Sequence, residues 1–271
     1  MAVSNVTTAP IGVFDSGVGG LSVWREIVRQ LPAENTLYFA DQAHIPYGLR
    51  PLDEVRRLTE NITRFLLAQG AKVIVVACNT ASGAALHALR ETFPDVPFVG
   101  MEPAVKPAVE HTRTGVVGVI ATPATFEGDL FAGLVARFGD GVDLHAQACP
   151  GLVEAVESGA FDTPETEALL RRYLTPLLEA GIDQLVLGCT HYPFLSATIQ
   201  RIAGPDVALI DPAPAVARQV GRVLAERNLL APAVQQGRHQ FYTSGDPMQF
   251  SEMMRALIGA EHHAAHWTDG N

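Results

Sequence analysis

The sequence predicts an α/β fold of two similar units, each built on a mainly parallel sheet. Two observations carry the fold class. Short apolar runs alternate with stretches of helical periodicity along most of the 271 residues, and the runs are apolar at consecutive positions rather than at every second one, as in strands covered on both faces. A third observation, the recurrence of segments at a long period, predicts the two units.

The runs fall at 11–14, 36–40, 72–77, 97–100, 115–121, 184–188 and 207–210. After the first, Leu21, Trp24, Ile27 and Leu31 share one helical face, and Val55, Leu58, Ile62, Phe65 and Leu66 share another after the second. Thr163-Pro164-Glu165 sets a helix start, with a capping hydroxyl, proline in the first turn and an acid at the positive end of the dipole. The helix that follows should kink at Pro176. Gly12-Val13-Phe14-Asp15-Ser16 resembles Gly118-Val119-Ile120-Ala121-Thr122 at an offset of 106. Val75-Val76-Ala77-Cys78-Asn79-Thr80 resembles Val186-Leu187-Gly188-Cys189-Thr190-His191 at 111, and Glu102-Pro103-Ala104 resembles Asp211-Pro212-Ala213 at 109. The expectation is two α/β units related by pseudo-two-fold symmetry, with the active site in the cleft between them. Residues 1–100 with 211–271 should form the first and 101–210 the second.

Composition narrows the function. With 48% hydrophobic and 18% charged residues the chain is not a disordered one. The net charge is −10 with no basic run, so neither nucleic acid nor an anionic membrane suits it as a partner. No run is long enough to span a bilayer, and residues 1–10 have neither the basic charge nor the apolar core of an export signal. Three cysteines make no disulfide framework. A cytoplasmic protein with reduced thiols is the expectation, and each cysteine is then core filler, metal ligand or reagent.

Two of the three sit in matched places. Cys78 follows the run 72–77 and precedes a helix expected from about 81 to 90, while Cys189 follows 184–188 and precedes a helix starting near Pro193. Strand ends leading into helix starts are where open α/β sheets bind ligands. The free N–H groups and dipole there favour an anion and lower a thiol's pKa. The polar flanks Asn79-Thr80 and Thr190-His191 favour a functional reading, whereas Cys149, before Pro150, reads as core filler. A metal site made from Cys78, Cys189 and His191 would lack any Cys-x-x-Cys or compact histidine cluster. His262, His263 and His266 read as a solvated terminal stretch. No metal is expected.

The turn Asp15-Ser16-Gly17-Val18-Gly19-Gly20 nearly matches a dinucleotide fingerprint, but Ser22 stands at the third glycine position and Asp15 would repel a pyrophosphate. The alternative is that Asp15 and Ser16 bind the amino group and carboxylate of a substrate directly. The turn Pro46-Tyr47-Gly48 lies at the same sheet edge, where its amide and hydroxyl can reach the same ligand.

These segments, together with Phe39-Ala40-Asp41, Ala77-Cys78-Asn79-Thr80-Ala81-Ser82, Gly188-Cys189-Thr190-His191-Tyr192-Pro193 and Phe241-Tyr242-Thr243-Ser244-Gly245-Asp246, resemble the glutamate racemases of the aspartate/glutamate racemase superfamily. The likeness runs from about residue 11 to 250. It implies a cofactor-independent isomerase that interconverts L- and D-glutamate and supplies D-glutamate for bacterial peptidoglycan. It implies Cys78 and Cys189 as the acid/base catalysts and Asp15, Glu157 and His191 as their assistants. Substrate contacts would come from Asp15, Ser16, Tyr47, Gly48, Asn79, Thr80, Thr190 and His191. The small-molecule partner is glutamate; oligomeric state is not readable from the residues, and a homodimer is kept as an expectation. Inverting a stereocentre by proton transfer needs a base on one face of Cα and an acid on the other. The two sulfurs should therefore flank a gap of roughly 6–8 Å, too wide for a disulfide bond of about 2 Å.

Overall fold

Isoleucine, valine and phenylalanine fill the segments 11–14 and 73–76 on alternating sides, so both faces of these strands need cover. In the computed structural model, which describes residues 7–127, 129–259 and 261–268, they receive it. Ile11, Val13, Val73 and Val75 pack into one apolar cluster and Phe14, Ile74 and Val76 into another on the opposite face. Residues 1–6 of the stretch read as lacking an export signal lie outside the described residues.

The chain runs β1 (Ile11–Asp15), α1 (Leu21–Gln30), β2 (Thr36–Ala40), α2 (Leu52–Ala68), β3 (Val73–Val76), α3 (Asn79–Thr92) and β4 (Phe98–Val99). It continues through α4 (Val105–His111), β5 (Val116–Ala121), α5 (Pro123–Glu127), α6 (Asp129–Phe138), β6 (Asp143–Ala148), α7 (Leu152–Glu157), α8 (Pro164–Glu179), β7 (Gln184–Leu187), α9 (Ser196–Ala203) and β8 (Ala208–Ile210). It ends with α10 (Ala213–Glu226), β9 (His239–Thr243), α11 (Pro247–Ile258) and β10 (Ala264–His266). One sheet has the order β10-β9-β2-β1-β3-β4 and the other β6-β5-β7-β8. All strand pairings are parallel.

The order β2-β1-β3-β4 in the first sheet is repeated by β6-β5-β7-β8 in the second, as the duplicated segments require. In each sheet the chain steps from the first strand of the set to one side and then returns to the other. That reversal opens a crevice at the carboxyl ends of β1 and β3, and again at those of β5 and β7. After Ile210 the chain returns to the first sheet, where α10 packs against α1. The cluster containing Val18 and Leu21 continues without a break into Ile120, Leu152, Val156, Leu187 and Tyr192, joining the two sheets.

All seven expected strands form, most of them shorter by a residue or two at an end. Three more, β6, β9 and β10, were not expected from apolar runs, because they are edge or near-edge strands and keep exposed positions. Thr163 caps α8 as expected, accepting from the Thr166 N–H, and the helix continues past Pro176 to Glu179. The helix expected near Pro193 begins as a 3-10 turn over Tyr192–Leu195 before α9. The solvated reading of the terminal histidines fails for His262. Its ring lies 4.6 Å from that of Phe241 and 5.7 Å from that of Trp24, centre to centre, and this burial lowers its pKa. No helix among the described residues is long and apolar enough to cross a membrane.

Candidate active site

Cys78 ends its strand in extended backbone and caps α3, its sulfur accepting the Ala81 N–H at 3.4 Å. Its thiol lies 4.0 Å from Ser16 Oγ on the neighbouring turn. Cys189 leaves β7 in the matched way, with its sulfur 3.7 Å from His191 Nδ1. His191 Nε2 in turn meets Glu157 Oε1 at 2.7 Å.

The two ends face one small cavity. Ser16, Tyr47, Gly48, Cys78, Asn79, Thr80, Cys189, Thr190 and His191 all line it. Of the residues expected at the site, Asp15 and Glu157 stand behind the wall. Asp15 is fully buried, accepting the Gly17 N–H at 2.9 Å and the Thr190 hydroxyl at 3.1 Å. The Tyr47 hydroxyl donates to Asp41. Asn79 is the reverse case, since both polar atoms of its buried amide lack a partner. An unsatisfied amide on a cavity wall is a group waiting for a ligand.

Thr122 and Thr125 also line the cavity and were missed. Their hydroxyls lie 3.0 Å apart, and that of Thr122 lies 3.0 Å from Thr80 Oγ1 across the cleft. The signal for Thr122 was present: it is the duplicate of Ser16 at the offset of 106.

The expectation that a helix start lowers both thiol pKa values fails for Cys78. Burial pushes its thiol up, the Asp15 charge adds to that, and the single N–H from Ala81 does not compensate. Burial also raises the Asp15 carboxyl to about 6. At His191 burial opposes the charge, but Cys189 and Glu157 outweigh it and hold the imidazole well above its ordinary range. Cys149 is buried, its thiol donating to Gln147 O at 3.4 Å, and it is absent from this cavity.

The glycines of the turn after β1 have a reason beyond a tight bend. A Cβ at Gly17 would overlap Glu157 Oε1, and one at Gly19 would overlap the His191 ring. The turn is a seat for side chains of the other sheet, which also explains Ser22, whose hydroxyl donates to Gly19 O at 2.8 Å and Thr190 O at 3.0 Å. Among the described residues no group of three or more His, Cys, Asp or Glu side chains is placed to hold a metal ion.

Residues 11–220 match the family model for Asp/Glu/Hydantoin racemase. The chain belongs to this family of amino-acid racemases. A glutamate racemase from Roseiflexus sp. is 53% identical over 256 residues, covering 94% of each chain. Among solved structures, a glutamate racemase isoform from Bacillus anthracis superposes with a TM-score of 0.89 at 34% identity, covering 97% of this chain and 98% of that one. The glutamate racemase of Francisella tularensis in complex with D-glutamate gives 0.85 at 31% identity, over 98% and 100%.

Proposed function

We propose that the protein interconverts L- and D-glutamate by two-base proton transfer at Cα, with Cys189 and Cys78 on opposite faces, and so supplies D-glutamate for peptidoglycan in the cytoplasm. One observation carries the mechanism: two thiols from matched strand ends line one small cavity, Cys78 beside the Ser16 hydroxyl and Cys189 beside the His191 imidazole. The choice of glutamate is supported by the relatives, one of which was solved with D-glutamate.

Starting from L-glutamate, the Cys189 thiolate, its proton held by His191, removes the Cα proton. Glu157 steadies that imidazolium. Cys78, kept as a thiol by burial and by Asp15, delivers its proton to the other face. From D-glutamate the roles exchange, and Asp15, raised to about 6, is the acceptor beside Cys78. The pairing of each cysteine with an enantiomer rests on the family resemblance. Charge developing on the substrate carboxylate would meet the unpaired N–H groups that begin α3, the Asn79 amide and the hydroxyls of Thr80, Thr122 and Thr125.

The test is circular dichroism of reduced, metal-free protein, without pyridoxal phosphate, given each enantiomer of glutamate and of aspartate. Both glutamate solutions should decay to zero rotation, and aspartate should not. Turnover of aspartate alone, or binding of glutamate without turnover, would overturn the reading.

A further inference from the structure

Glu157 belongs to the second sheet's segment of chain, yet its carboxylate is held from the first. Oε1, which faces His191, also accepts the Val18 N–H at 2.6 Å, and Oε2 accepts from Gln42 Nε2 at 3.3 Å. Gln42 follows β2, in the turn that leads to Tyr47. Its orientation is not free. Gln42 Oε1 accepts the hydroxyl of Thr243, at 2.9 Å, from the end of β9. Thr243 is fully buried, and its oxygen accepts the Gly245 N–H at 3.0 Å. With that hydroxyl hydrogen committed to Gln42 Oε1, the amide can offer only its N–H side to Glu157.

We infer that Gln42 is a positioning residue for Cys189. Fixed by Thr243, it completes with Val18 a seat in which Glu157 must dock before His191 is held against the Cys189 sulfur. Thr243, Gln42, Glu157, His191 and Cys189 form one continuous line of polar contacts that crosses between the two sheets. Its crossing point, where Gln42 and Val18 meet Glu157, exists only when the two sides are together. The inference rests on the proposed role of Cys189.

Gln42 is absent from the cavity lining, so its loss should act on turnover rather than on binding. The experiment compares Gln42→Met, which keeps length and removes the hydrogen bonds, with Thr243→Val, the double variant and Cys189→Ser, all as intact protein. Gln42→Met should lower kcat for glutamate about 10- to 100-fold, the size expected for a hydrogen bond to a charged group, with KM within about threefold. Thr243→Val should show a smaller loss in the same sense, and the double variant should be no worse than Gln42→Met, because both act through one contact. Alkylation by iodoacetamide, mapped by peptide, should slow at Cys189 in Gln42→Met and stay unchanged at Cys78. A kcat within twofold of the parent would overturn the inference. So would faster alkylation of all three cysteines, which marks general loosening. Parent-like racemisation by Cys189→Ser would instead overturn the active-site reading itself.

Discussion

Replacing Asp15 by asparagine should change the pH dependence of stability by a predictable amount. Burial raises the Asp15 carboxyl from 3.8 to about 6. At about 1.4 kcal/mol per pH unit, keeping it ionised at neutral pH costs the fold about 3 kcal/mol. The sign follows from which state holds the proton. Between these two values the unfolded chain has released a proton that the folded chain retains, so this contribution is fully present below the unfolded pKa and is lost as pH rises through the folded one. Asparagine does not titrate and removes the loss. It also fits the site, because its carbonyl can accept the Gly17 N–H while its amide donates to the Thr190 hydroxyl, which can reverse its role. Urea unfolding of both proteins should show the stability difference, variant minus parent, growing by about 2 kcal/mol between pH 4.5 and pH 7 and by about 3 kcal/mol over the whole range. A difference that stays flat over that interval, or shrinks, would refute the burial argument. Racemisation should fall sharply in the same variant, since Cys78 loses its proton acceptor.

Other outcomes follow from the same geometry. Iodoacetamide should modify Cys189, which lines the cavity, before Cys149, which does not, with glutamate protecting Cys189; early labelling of Cys149 would show that the wrong thiol has been assigned. Gly17→Ala places a methyl where Glu157 Oε1 lies, so it should expel the carboxylate and cut kcat about tenfold or more while the far-ultraviolet circular dichroism stays native. Parent-like turnover there would mean that Glu157 need not dock.

What was legible in the chain, and what was not, divides along burial and distance. Central strands such as β1 and β3 announce themselves because both faces must be apolar, whereas β6, with no buried position, has no such constraint on its residues. The two cysteines were legible because duplication placed them at equivalent strand ends. Thr122 carried the same signal through its match to Ser16, but Thr125 lies in a helix with no counterpart in the repeat. The seat for Glu157 was not legible at all. Gly17 and Gly19 read as a tight turn, and only the fold brings residues 139 positions apart, Val18 and Glu157, to 2.6 Å. The pKa of Cys78 was misjudged because a motif shows the helix start and hides the burial around it.

The two-cysteine mechanism is tested most directly by isotope. L-Glutamate is incubated with the protein in deuterium oxide, and the reaction is stopped early. With Cys189 removing a proton and Cys78 delivering a deuteron from the opposite face, the first D-glutamate formed should be deuterated at Cα, while the remaining L-glutamate stays largely protiated by internal return. Substantial protium at Cα of the early D-glutamate would mean that a single base carries the proton across, and would contradict the two-thiol account.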